Sequence, residues 1–174
     1  MLALGEAPVS TVPKPLDQLY TAHHAMVFRT AYRITGNAAD AEDVLQTVFL
    51  RILKRDTAEI ENPESYLRRS AVNAALDIVR ARQADHSLEL EKMSASGSCT
   101  ELRDLRDTVR RVLATLPPKT AEMIALRFFE GYTNPEIAKI MGTSQIMVAV
   151  TVHRARKKLQ QELQTHNLQK GAAQ

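Results

Sequence analysis

The stretch Gly131-Tyr132-Thr133-Asn134-Pro135-Glu136-Ile137-Ala138-Lys139-Ile140-Met141-Gly142-Thr143-Ser144 decides the reading of this chain. Thr133 or Asn134 offers a capping side chain, Pro135 fits a first helical turn, and Glu136 can close a capping box with Thr133. These signals predict a short helix over about 134–141 that buries Ile137, Ala138 and Met141. Gly142 permits the positive φ of a tight turn. Thr143 or Ser144 then caps a long helix from about Gln145 to Leu163. A short helix, a turn with Gly and a longer second helix is the helix-turn-helix arrangement, whose second helix fits a major groove about 12 Å wide.

That second helix divides by face. Val148, Val152, Ala155, Leu159 and Leu163 are spaced to pack inward. Gln145, Met147, Ala149, Thr151, Arg154 and Lys158 are left outside or near the boundary. Arg154, Arg156, Lys157 and Lys158 are cations that can meet phosphate. Charge alone would favour a solvated basic helix at the end of a bundle; the Gly turn, the capping signals and the basic long helix together favour DNA contact.

Working outward, helical spacing dominates. Leu16, Leu19, Tyr20, His23, Val27, Ala31 and Ile34 predict a helix over 16–35, ended by Gly36. Asn37 reads as an N-cap for a helix to about Arg55, with Val44, Leu45, Val48, Phe49, Ile52 and Leu53 as its buried stripe. A polar connector, 56–63, ends at Asn62-Pro63, and a third helix over about 64–82 turns Leu67, Ala71, Ala74, Ala75 and Ile78 inward. The pattern fails from Gln83 to about Glu101, where Ser94–Ser98 has linker composition. It resumes at Leu102, Leu105, Val109, Val112, Leu113 and Leu116, breaks at Pro117-Pro118, and continues over about 119–130 with Ala121, Ile124, Ala125 and Phe128 as core. No segment alternates as a strand does. The fold class expected is all-α: two small helical domains joined by a flexible linker. The boundaries are a flexible extension at 1–15, a first domain at 16–82, an acidic linker at 83–104, a second domain at 105–165 and a tail at 166–174.

Charge separates these parts. Eleven basic residues against five acidic ones give residues 105–174 a net +6, whereas 83–104 carries −3 and 16–82 is balanced. A small basic helical domain points to a polyanion partner. Other chemistry is excluded or weak. One cysteine, Cys99, cannot make an internal disulfide or a multi-thiolate metal site. The five histidines lack zinc-ligand spacing, and there is no phosphate-cradling Gly loop or nucleophile–base constellation. No apolar run approaches the roughly 18 residues that span a bilayer. The expectations are therefore no catalytic or metal residues, no cofactor and no membrane insertion, and the composition fits a reducing compartment.

The two halves together resemble an extracytoplasmic-function sigma factor of the sigma-70 superfamily. The resemblance is carried first by Leu19-Tyr20, Thr35-Gly36-Asn37, Asp40-Ala41-Glu42-Asp43-Val44-Leu45-Gln46 and Phe49-Leu50. It continues in Tyr66-Leu67, Asn73, Ala75-Leu76-Asp77 and Arg80. In the second half it rests on Leu116-Pro117-Pro118, Leu126-Arg127-Phe128, Glu130-Gly131-Tyr132-Thr133, Glu136-Ile137-Ala138 and His153-Arg154-Ala155-Arg156. It implies sigma region 2 followed by sigma region 4, no catalysis, and a transcription initiation factor that binds core RNA polymerase. Region 2 would open and read the −10 element, and region 4 would read the −35 element as duplex.

The resemblance also implies roles. Asp40, Glu42, Asp43 and Gln46 match the segment that docks on the β′ clamp helices, and the β subunit is a further polymerase contact. Asp40 is the one of the four that also suits a plain helix N-terminal carboxylate. The 56–63 connector matches a loop that accepts a base turned out of the stack. Asn73 matches a promoter-contacting amide, with Arg69 and Arg80 on phosphates. In region 4 the DNA-binding set is Ser144, Gln145, Thr151, His153, Arg154, Lys157 and Lys158. Ala149 and Thr151 stand where the family often has Lys or Arg, so bidentate base contacts from Arg are missing there and indirect readout is expected. An anti-sigma factor is a further expected partner. Two other readings stay open from sequence: a stand-alone helix-turn-helix regulator, and a sigma-like module that only binds an anti-sigma factor.

Overall fold

A computed structural model describes residues 14–54, 60–89 and 101–171, all but their connections helical. The seven helices are α1 (Lys14–Thr35), α2 (Ala38–Leu53), α3 (Pro63–Glu89), α4 (Glu101–Thr115), α5 (Pro118–Phe128), α6 (Asn134–Met141) and α7 (Gln145–Gly171). No strand occurs among the described residues. Residues 55–59, most of the connector, lie outside them, as do Ser94–Ser98 and Cys99 of the linker and residues 1–13 of the N-terminal extension.

The predicted punctuation sets the boundaries. Asn37 caps α2, its Oδ1 accepting from the Ala39 N–H at 2.9 Å. Asn62 caps α3 by accepting from the Ser65 N–H at 3.0 Å. Two helices run further than the periodicity suggests. α3 continues seven residues past Arg82 and α4 begins at Glu101, so both ends of the expected linker are helical. The segment Gln83–Glu89 contains no Gly or Pro, and Gln, Ala, Leu and Glu all favour helix, so nothing stops it. For the same reason α7 passes Leu163 and ends only at Gly171.

The core follows the apolar stripes with exceptions at helix ends. Val27, Ala31 and Ile34 of α1 meet Val44, Val48, Phe49 and Ile52 of α2 and Leu67, Ala71 and Ala75 of α3. Leu113 and Leu116, with Ala121, Ile124, Ala125, Ile137, Val148 and Ala155, form the second body. Leu53, Leu105 and Phe128, all expected inside, are exposed, because each lies at or near a helix end where neighbouring elements no longer cover it. The two bodies expected from sequence also pack on each other. α3 lies between α1 and α2 on one side and α4 and α5 on the other. Accordingly Val72, Leu76 and Val79 are buried beside the expected stripe, and one apolar cluster runs through both bodies.

Candidate nucleic-acid and polymerase interfaces

The turn quoted first is built as its residues dictate. Glu136 accepts from the Thr133 backbone N–H at 2.7 Å and from the Thr133 hydroxyl at 2.6 Å. These two donors hold its carboxyl below the usual glutamate range. Gly142 sits at φ 63°, a left-handed conformation that closes α6 while its N–H bonds the Ala138 carbonyl. Ser144, not Thr143, caps α7, its Oγ accepting from the Met147 N–H at 3.2 Å. Arg127 ties α5 to this unit by donating to the Tyr132 carbonyl at 2.8 Å.

Val148 and Ala155, both buried, fix the rotation of α7. Gln145, Ile146, Met147, Ala149, Val150, His153, Arg154, Arg156, Lys157 and Lys158 are exposed, and Thr151 is half-buried at the margin. Among the described residues, none of Arg154, Arg156, Lys157 and Lys158 is in an ion pair. They form an uncompensated cationic face, the electrostatic requirement for a phosphate backbone.

On α2, Glu42, Asp43 and Gln46 are exposed. Asp40 is not: it is buried, accepts from Arg82 Nη2 at 2.6 Å, and its second oxygen has no partner among the described residues. Its carboxylate therefore links the start of α2 to the far part of α3.

On α3, the residues singled out for DNA are occupied from inside the molecule. Arg69 Nε donates to Glu122 Oε1 at 2.5 Å and Asn73 Nδ2 to the same oxygen at 3.1 Å. Arg69 also donates to the Ile140 carbonyl at 3.1 Å. Arg80 is turned to Asp77 at 3.2 Å, and its buried Nη2 has no partner among the described residues. A second carboxylate holds the neighbouring arginine, Arg68. Glu130, with a wholly buried side chain, accepts from Arg68 at 2.7 Å and from Arg33 at 3.3 Å. Arg110 completes the contact by donating to the Ile34 carbonyl at 2.9 Å. An open pocket of about 340 Å³ lies at the start of α3, lined by Ile60, Glu61, Asn62, Ser65, Tyr66 and Arg69, with Ile140 of α6 as its far wall.

Glu122, Glu130 and Arg110 were given no role from sequence, although Glu130 lies in a stretch that carries the family resemblance. The available signal was Glu122 itself, a lone acid inside the run Ala121–Leu126, all six of which are buried. A buried carboxylate needs a counter-charge.

Comparison with known proteins converges on one family. A family model for sigma-70 region 2 matches residues 19–84, and one for sigma-70 region 4 matches residues 106–159. The RNA polymerase sigma-E factor of Streptomyces coelicolor is 32% identical over 145 residues, covering 82% of each chain. The corresponding factor of Streptomyces avermitilis is 31% identical over 146 residues, covering 82% of this chain and 81% of that one. This chain belongs to the extracytoplasmic-function sigma factors. Two solved structures share the fold. CnrH, in complex with the cytosolic domain of CnrY, is 22% identical with a TM-score of 0.54, covering 90% of this chain and 92% of that one. RpoE of Bartonella quintana, in complex with the anti-sigma factor NepR, is 19% identical with a TM-score of 0.53, covering 87% and 98%.

The sigma factor is thus a transcription initiation factor that binds core RNA polymerase and directs it to promoters. The first body, α1–α3, carries region 2, and α4–α7 carry region 4.

Proposed function

We propose that Glu42, Asp43 and Gln46 dock this sigma factor on the β′ clamp helices, their exposed carboxylates setting orientation against basic groups. Asp40 supports that surface from below through Arg82. Asn73 and Arg69 meet the −10 element, and the pocket between Ile60 and Arg69 takes a base out of the stack. Ser144, Gln145, Thr151, His153, Arg154, Lys157 and Lys158 meet the −35 duplex, with Arg154, Lys157 and Lys158 on phosphate. Arg80 enters only if it leaves Asp77. The chemistry belongs to the polymerase, and this chain contributes binding alone. No helix among the described residues is long and apolar enough to cross a membrane. A subunit that works with polymerase on the chromosome belongs in the cytoplasm.

The observation that carries this reading is the pairing, in one chain, of a capped helix-turn-helix bearing an unpaired cationic face with a separate exposed acidic helix. A stand-alone repressor has use for the first and none for the second. On this reading the described arrangement is a closed form. One Glu122 oxygen holds both Arg69 and Asn73, and α6 walls the base pocket, so promoter engagement requires α5 and α6 to leave α3. An anti-sigma factor is a third partner, one that would hold the two bodies in place.

Runoff transcription with purified core polymerase and genomic fragments tests the assignment. Wild type is expected to give discrete starts. Asp43→Arg is expected to lose core binding while the free chain keeps its affinity for duplex DNA. Equal core binding by the variant would overturn the docking surface.

A further inference from the structure

The first two turns of α7 present an apolar surface to solvent. Ile146 is 77% exposed, Met147 55% and Val150 40%, and Ala149 lies exposed among them. With Val148 and Ala155 fixed inward, 3.6 residues per turn place Ile146, Val150, His153 and Lys157 in a line directly away from the core. The line changes character along its length: apolar at Ile146 and Val150, polar at His153 and cationic at Lys157. Packing accounts for only part of these side chains, since the described residues leave 40–77% of Ile146, Met147 and Val150 open to solvent.

Their place in the helix-turn-helix gives them a task. The N-terminal residues of the second helix are those that reach base edges in the major groove. Every base presents hydrogen-bonding groups there, but only thymine presents an apolar one, its C5-methyl. Arg and Lys, which read guanine by paired donors, are absent from α7 before Arg154. We infer that Ile146, Met147 and Val150 read thymine methyl groups in the −35 duplex. Gln145, the exposed amide at the same end, has the geometry to pair with adenine. Arg154, Arg156, Lys157 and Lys158 follow within the next two turns, where they reach phosphate and hold the apolar patch in the groove. This inference rests on region 4 being the −35 reader and specifies the chemistry it reads. A protein partner on the same patch is the competing occupant. The four adjacent uncompensated cations and the net +6 of residues 105–174 argue for nucleic acid instead.

The test uses holoenzyme assembled from full-length chain and core polymerase on a promoter identified by runoff transcription. Each thymine of the −35 duplex is replaced singly by deoxyuridine, which removes the methyl and leaves every hydrogen bond. Wild type is expected to lose about fourfold in affinity at one or two positions, the effect of one buried methyl group. Ile146→Ala, Met147→Ala or Val150→Ala is expected to bind the thymine and uracil duplexes equally at the matching position. All three sites are exposed, so circular dichroism should show unchanged folding. Promoter-specific initiation that ignores every uracil substitution would overturn the inference, leave the sigma reading intact, and assign the patch to a protein partner. A thymine preference that survives all three substitutions would also overturn it. Absence of any polymerase-dependent transcript would sink the sigma reading itself, before the −35 chemistry is reached.

Discussion

Glu122→Gln separates closure from folding. The substitution keeps the shape of the side chain and an acceptor oxygen but removes the charge that Arg69 and Asn73 share, at 2.5 and 3.1 Å. Hydrogen bonds to an ionised acceptor contribute about 1.5–3 kcal/mol, and neutral ones about 1 kcal/mol. Arg69 is 41% exposed, so solvent screens part of the difference, and we take about 1.4 kcal/mol, a factor of about ten in the closed-to-open ratio. A binding-competent form that is scarce lowers apparent affinity by its fraction, so a single-stranded −10 oligonucleotide should bind the free variant up to about tenfold more tightly. The opening itself is read by energy transfer between dyes on cysteines placed at Thr21 and Lys119, both exposed, in a Cys99→Ser background. Transfer should fall in the variant, and adding Arg69→Ala to it should change transfer little, since the shared contact is already weakened. Unchanged transfer with unchanged oligonucleotide affinity would refute the closed-form reasoning. Lower affinity would show instead that Glu122 positions Arg69 for DNA.

Three other perturbations probe separate parts. Gly36 stands at φ +70°, and a Cβ there would meet Arg110 Nη2 at 1.9 Å. The guanidinium can swing aside, so Gly36→Ala should cost about 2–4 kcal/mol from left-handed strain and the lost bond to the Ile34 carbonyl; a urea midpoint equal to wild type would contradict this. Arg154→Ala should weaken holoenzyme binding to all promoters alike and reduce the slope of log affinity against log salt by about one. A promoter-selective loss or an unchanged slope would remove it from the phosphate set. Glu136 has its pKa lowered by the Thr133 hydroxyl and backbone N–H. Its contribution is therefore complete above the ordinary glutamate pKa and lost as pH falls through the lowered folded value. Thermal melts of Glu136→Gln should lie below wild type at neutral pH and converge with it in acid; a constant gap would disprove the assignment.

The fold was legible because its local signals agree. Asn37, Asn62, Thr133, Gly142 and Ser144 each act through backbone groups within five residues, and such punctuation is written where it operates. The exposed set on α7 was only partly readable: Val148 and Ala155 fix the helix rotation, but Ile146 and Val150 were left out of the outward set, because an apolar side chain carries no local sign that it faces water. Helix length was less so. Capping residues announce starts, but α3 and α7 stop only when propensity fails, and no breaker stands at Arg82 or Leu163.

Contacts between the bodies were the hardest to read, because Arg69 and Glu122 lie 53 residues apart and Arg68 and Glu130 lie 62 apart. Their traces are nevertheless present as violations of the one-face pattern. A helix packed on one side shows one apolar stripe; α3 buries Val72, Leu76 and Val79 beside Leu67, Ala71 and Ala75, and a helix apolar on more than one side has a second neighbour. Glu122 breaks the apolar run of α5 in the same way. A carboxylate kept inside such a run must meet a cation, and α3 carries arginines beside its second stripe at Arg68 and Arg69. The same arginines that suit a phosphate backbone suit a buried carboxylate, so on the proposed reading Glu122 takes the place beside Arg69 that a DNA phosphate would otherwise have. If Arg69 meets the −10 element as proposed, closure and promoter binding draw on one charge, and neither can be strengthened through Arg69 without weakening the other.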